Sequence, residues 1–166
     1  HLLIYCSPEQ IGWTMDILNE LDIFHHKFTF EESKDEREKI LEAFKNGDYK
    51  VLTAIRCLDE GVDIPSVKTA VILASSTNPT QYIQRRGRVL RRWPGKEQAE
   101  IFDFFVLPKL GNYMNKDLFA IEQKIIKREI TRSEEFYNTA RNKTEILLKL
   151  GKVMREYSVF FEGRSE

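Results

Sequence analysis

A chain of 166 residues with 42% apolar content has room for one core of ordinary size, or for one domain with an appendage. Its 26 basic and 26 acidic residues cancel, so any attraction to a polyanion must come from local patches rather than from overall charge. No apolar run approaches the length of a membrane span, no secretory signal is visible, and Cys6 and Cys57 lack metal-ligand spacing. Two buried thiols in a reducing, cytoplasmic setting are expected. The opening His1-Leu2-Leu3-Ile4-Tyr5, with no initiator Met, reads as an excised piece of a longer protein.

Leu2 to Cys6 is an almost continuous apolar run, as in a strand buried on both faces of a parallel sheet. Ser7-Pro8-Glu9-Gln10 then reads as a helix start, with Ser7 as N-cap, Pro8 at the first helical position and Gln10 closing a capping box. Ile11, Met15, Leu18 and Leu21 follow at helical spacing. Residues 25–30 form a second strand candidate, on which His25 and His26 point to opposite faces and make no paired metal site. A second capping box, Ser33 to Glu36, opens a helix with Ile40, Leu41 and Phe44 buried, and Asn46-Gly47-Asp48 ends it. Residues 50–55 and 67–75 are further strands; Pro94-Gly95 breaks the chain before a fifth strand at 99–106. Strands alternating with helices predict an α/β domain, a parallel sheet with helices on both faces, over residues 1–108.

Residues 109–166 carry no strand signal and are expected to form a C-terminal helical appendage. Leu118, Ile121 and Ile125, then Phe136 and Ala140 with Leu147 and Leu148, recur at helical spacing, with acids and bases alternating between them. A first break is expected near Thr131-Arg132-Ser133, with Ser133 capping a new helix. Buried polar contacts are expected around residues 138–142.

Two stretches carry chemistry. Residues 85–92 hold five arginines, and Gln81, Gln84, Arg85 and Arg88 fall at i, i+3, i+4 and i+7, one face of a helix. No carboxylate is interleaved to pair them, so the face calls for an external anion, and the guanidinium fork matches phosphate. The bland alternative is a solvated charged face. The second stretch follows the third strand, where Gly61 allows close backbone approach and Asp63 is an acceptor suited to a ribose hydroxyl pair. Taken alone, Asp63 reads better as a turn or cap residue ahead of Pro65, and only the two stretches together describe a nucleotide site. Both stretches follow strand ends of one sheet and so should face one edge, where open α/β sheets collect ligands.

Glu60-Gly61-Val62-Asp63-Ile64-Pro65 followed by Gln81-Tyr82-Ile83-Gln84-Arg85-Arg86-Gly87-Arg88 resembles motifs V and VI of superfamily 2 helicases. Leu3 to Ser7 looks like motif IV, and Arg37 sits where the family has its motif IVa helix. The likeness covers about residues 1–106 and implies the second RecA-like domain of an ATP-dependent helicase of restriction or repair type. It implies Arg85 and Arg88 as arginine fingers at the γ-phosphate, Gln84 assisting at the phosphate or its attacking water, and Gln81, Gly61 and Asp63 at the nucleotide. Ser7, residues 29–33 with Ser33, and the surroundings of Thr53 would line the nucleic-acid backbone, DNA in preference to RNA. ATP and Mg2+ would be held mainly by an N-terminal RecA-like domain of the same parent, with no metal ligand from this chain.

Two departures stand out. Ile55 occupies a position where many family members have Thr, so Thr53 or Arg56 would have to supply that backbone contact. Neither a Gly-x-x-x-x-Gly-Lys-Thr loop nor an Asp-Glu-Ala-Asp-type box occurs in the 166 residues, although a triphosphate with magnesium needs both. Two rival readings use the same residues: a passive phosphate clamp on nucleic acid, and a degenerate RecA-like platform for protein interaction. The intact Gln84-Arg85-x-Gly87-Arg88 spacing speaks for the motor.

Overall fold

A computed structural model describes residues 1–55, 67–73, 94–108 and 116–161, the side chain of Glu135 excepted. Five short strands occur among them: β1 (Leu2–Tyr5), β2 (His25–Phe28), β3 (Val51–Ala54), β4 (Thr69–Ile72) and β5 (Glu100–Asp103). All pair in parallel, in the order β2-β3-β1-β4-β5, with Tyr5 beside both Ala54 and Ile72. Parallel strands require crossovers, which cover both sheet faces; this is why β1 and β3 are apolar at nearly every position rather than at alternate ones.

The pleat sorts these residues. Leu2, Ile4, Val51 and Val71 share one face, and with Leu18 and Ile23 they form one core cluster. Leu18 lies on α1 (Ile11–Glu20), which follows β1; α2 (Lys34–Asn46) follows β2 and buries Ile40 and Phe44. From β1 the chain moves outward to β2, then returns to β3. Right-handed crossovers therefore place α1 and α2 on opposite faces. Full burial of Phe44 or Leu18 is worth roughly 1.5–3 kcal/mol.

Both ends of α2 follow local chemistry. Ser33 and Glu36 form the reciprocal capping box, and Gly47 closes the helix in the left-handed region at φ 90°. The start of α1 differs from expectation. Gln10 returns its side chain to the Ser7 N–H at 2.9 Å, but its own N–H donates to the Ser7 carbonyl at 3.0 Å. Residues 8–10 are thereby spent in a turn, and the helix begins at Ile11 instead of Pro8. Its buried positions are Thr14 and Leu18, while Leu21 is 62% exposed. Thr14 tolerates burial because its hydroxyl donates to the Gln10 carbonyl at 2.7 Å.

The chain divides into two compact units, His1–Phe104 and Phe105–Glu166. The expected boundary at 108/109 lies later because Phe105 already packs with the helical unit, where Arg132 stacks over its ring. That unit contains α3 (Lys116–Thr139) and α4 (Lys143–Glu156). The break expected at 131–133 is absent: Ser133 is buried and its hydroxyl donates to the Ile130 carbonyl at 3.0 Å, so it needs no cap role. The break falls at residues 140–142 instead, where Asn142 is the N-cap of α4. Asn142 is exposed and bonds Glu145 at 3.2 Å, so the buried polar contacts expected there do not form around it.

The apolar stripes are also rotated from expectation. Ile126, Ile130, Leu150, Val153, Met154, Tyr157 and Val159 form the core, whereas Ile121, Ile125, Leu147 and Leu148 are exposed. Adjacent pairs such as Ile125-Ile126 offer two registers about 100° apart, and only packing selects one.

Candidate nucleotide and nucleic-acid rim

Because every strand pair is parallel, the carboxyl ends of β1 to β5 lie along one edge of the sheet. Ser7, half-buried, stands two residues past the end of β1, and residues 29–33 leave the end of β2. The chain exits β3 after Ala54 and β4 after Ile72 at the same edge, with β1 between them. Arg56, Gly61, Asp63, Gln81, Gln84, Arg85 and Arg88 lie outside the described residues.

The loop between β2 and α2 is fixed by its own side chains. The Glu32 carboxylate accepts from the Thr29 N–H at 2.7 Å and from the Thr29 hydroxyl at 2.9 Å, and that hydroxyl in turn accepts from the Glu31 N–H at 3.1 Å. Arg37 Nε donates to the Glu32 carbonyl at 3.1 Å and ties the loop to the second turn of α2. This network escaped the sequence reading, though a signal existed: Thr29-x-x-Glu32 repeats the spacing of Ser33-x-x-Glu36 four residues upstream.

Ser33 is exposed, and its hydroxyl donates to Glu36 Oε2 at 2.8 Å while accepting from the Glu36 N–H at 3.3 Å. Backbone and hydroxyl donation from Ser33 hold the Glu36 carboxyl below its usual range. A carboxyl lowered in the folded state contributes stability above its unfolded value and loses it as pH falls through the folded one. Ser33→Ala removes the N-cap acceptor of α2 and should lower stability by about 0.5–2 kcal/mol. Urea midpoints measure this loss, and carboxyl NMR should show Glu36 titrating higher in the variant. Around Ser33, residues 31–38 carry five carboxylates beside Lys34 and Arg37, so a phosphate there would have to be met by those two cations.

Thr53 requires a correction. It is 0% exposed, in mid-strand on the face shared with Ile4 and Val51, so a nucleic-acid strand has no access to it here. Its hydroxyl has no hydrogen-bond partner among the described residues. Cys6 is likewise interior, with a free thiol that burial pushes up to about 11 and that makes a long contact to the Ala54 carbonyl. His25 and His26 each turn Nδ1 to a nearby backbone carbonyl, and no cluster of three metal-ligating groups occurs among the described residues. No helix among those residues is long and apolar enough to cross a membrane.

A parallel sheet with β1 at its centre and two ligand loops expected on its carboxyl edge defines the class as a RecA-like domain. The helicase conserved C-terminal domain family matches residues 2–92, more than half of the chain, and the chain belongs to that family. Over 64 residues it is 42% identical to the DNA 3'-5' translocase XPB2 of Sulfurisphaera tokodaii, covering 39% of this chain and 15% of that protein. It is 31% identical over 119 residues to Putative helicase 22 of Sulfolobus islandicus filamentous virus, covering 72% of this chain and 20% of that protein. The chain thus spans a fifth or less of the length of these relatives. Other relatives include an ATP-dependent DNA helicase and an ATP-dependent RNA helicase. In fold it resembles the C-terminal domain of the DEAD-box protein Dbp5, with TM-score 0.53 and 23% identity over 76% of this chain and 67% of that one.

Proposed function

We propose that this chain is the second motor domain of an ATP-dependent helicase or translocase, acting on ATP and Mg2+ held mainly by a first RecA-like domain of the same parent. The observation that carries the reading is topological: β3 and β4, the strands that precede residues 60–65 and 81–88 in the sequence, end at one edge of one parallel sheet, and those residues keep the motif V and VI spacing. Arg85 and Arg88 are the arginine fingers, Gln84 orients the phosphate or the attacking water, and Gln81, Gly61 and Asp63 contact the nucleotide. Ser7, Ser33 and Arg56 touch the nucleic-acid backbone, a contact that carries little sequence information. Thr53, being interior, supports the sheet.

DNA is the preferred strand, in keeping with the DNA translocase among the relatives, and the setting is a cytoplasmic restriction or repair activity. ATP bound between the two domains draws them together and hydrolysis releases them, so alternating grips move the strand. The test is ATP turnover by the full parent with single- and double-stranded DNA and RNA, beside the 166-residue chain alone. Turnover stimulated more by DNA than by RNA, and none by the chain alone, is expected. ATP cleavage by the isolated chain, or a parent indifferent to nucleic acid, would refute the proposal.

A further inference from the structure

The outer face of α1 is built for something other than water. Trp13, Ile17 and Leu21 recur at i, i+4 and i+8, and they are 46%, 45% and 62% exposed. Phe24, 70% exposed, continues the patch past the end of the helix. Successive members of that stripe lie about 40° apart around the helix axis, while the buried Thr14 and Leu18 lie roughly 100° further round. The helix therefore has one apolar arc wider than the sheet covers, with Trp13, Ile17 and Leu21 on its uncovered flank. A single exposed leucine is ordinary; three large apolar groups in register with a fourth beyond them mark an interaction surface.

Charge narrows the occupant. Asp16 and Glu20 precede Ile17 and Leu21 by one residue and so border the stripe on the side away from the sheet. From Ser7 to His26 the chain has four acidic residues and no lysine or arginine. A nucleic-acid strand and an anionic lipid surface are both repelled by such a border. A second copy meeting α1 with α1 would set carboxylate against carboxylate. A cationic apolar segment is attracted. The patch leads away from the ligand rim, since α1 runs from the carboxyl edge of the sheet toward the amino edge, with Trp13 in its first turn and Leu21 past its far end.

We infer that the Trp13-Ile17-Leu21 face of α1 is a docking surface for a partner protein's amphipathic helix, one bearing apolar anchors at i and i+4 flanked by lysine or arginine. Such a helix-in-groove contact takes its affinity from the apolar anchors and its choice of partner from the flanking charges.

Fluorescence anisotropy with two labelled 18-residue peptides tests this on the 166-residue chain. Both peptides carry leucine at i, i+4, i+8 and i+11; one has lysine at the flanking positions and the other glutamate. The lysine peptide should bind about tenfold more tightly than the glutamate peptide, as expected for facing charges at an interface rim. Trp13→Ser with Ile17→Ser should weaken the lysine peptide by about tenfold or more, since two anchors are removed. Asp16→Lys with Glu20→Lys should invert the preference between the two peptides. Circular dichroism checks that each variant folds, and if the serine pair does not fold, the charge inversion alone decides. Equal affinity for both peptides, no binding of the lysine peptide, or an unchanged preference after charge inversion would overturn the assignment. So would a concentration-dependent dimer of the chain that the serine pair abolishes, which would make a second copy the occupant.

Discussion

Arg88→Ala in the intact parent protein is expected to keep the fold and nucleic-acid binding while lowering ATP turnover by about 10³-fold or more. The magnitude follows from what an arginine supplied across an interface does in phosphoryl transfer. Charge builds on the equatorial oxygens of the transferred group, and a prepositioned guanidinium meets it without reorganisation in a water-poor cleft. Binding of the ground-state nucleotide changes less, because the differential interaction belongs to the transition state. Arg88→Lys should recover little, since a lysine restores the charge without the planar fork. Arg86, off the face shared by Gln81, Gln84, Arg85 and Arg88 at helical spacing, is the internal control, and Arg86→Ala should retain most turnover. Near-normal turnover in Arg88→Ala would remove the finger role.

The largest expected loss of stability belongs to the helical unit. Tyr157 is fully buried, stacks on Phe119 with ring centroids 5.1 Å apart, and donates its hydroxyl to Glu122 at 2.7 Å. Its carbonyl accepts from Gln123 Nε2 at 2.7 Å, so one residue joins the end of α4 to α3 by packing and by two hydrogen bonds. Tyr157→Ala should cost about 3–5 kcal/mol, the range for an aromatic core truncation. Tyr157→Phe keeps the stack and removes one hydrogen bond to a half-buried carboxylate, for roughly 1–3 kcal/mol. Hydrogen exchange of the amides of α3 and α4 resolves both losses. Burial first, then the bond to Glu122, pushes the Tyr157 phenol up to about 12. A phenol raised in the folded state gives stability that is fully present below its ordinary value of about 10 and is lost as pH rises through the folded one. Absorbance at 295 nm should show the Tyr157 phenol titrating late, and Glu122→Gln should bring its ionisation to lower pH.

Local signals were legible in the sequence. Leu2 to Tyr5 and Val51 to Ala54 were readable as buried parallel strands because a doubly covered sheet leaves no alternation. Ser33, Glu36 and Gly47 were readable because caps satisfy backbone groups within a few residues. What failed turned on which of several near partners a polar side chain took, or on packing against another helix. Gln10 turned back to Ser7 and delayed α1, and Ser133 found the Ile130 carbonyl and kept α3 whole. Ile125 lost its core place to Ile126 because α4 decided the register. The same distinction runs through the candidate site. Ser7 and Thr29 fall on the carboxyl edge by topology alone, whereas the burial of Thr53 depends on what covers its face of the sheet.

The position of β1 has a consequence for how the protein emerges from the ribosome. This strand is made first among the five, yet both of its neighbours, β3 and β4, come much later in the chain. Leu2 to Tyr5 must wait, greasy and unpaired along two edges, until Ile72 has cleared the exit tunnel. Long-range parallel pairing closes slowly and leaves sticky nascent segments exposed in the interval. Co-translational chaperone contact should therefore concentrate on this first segment and end once β4 docks beside it.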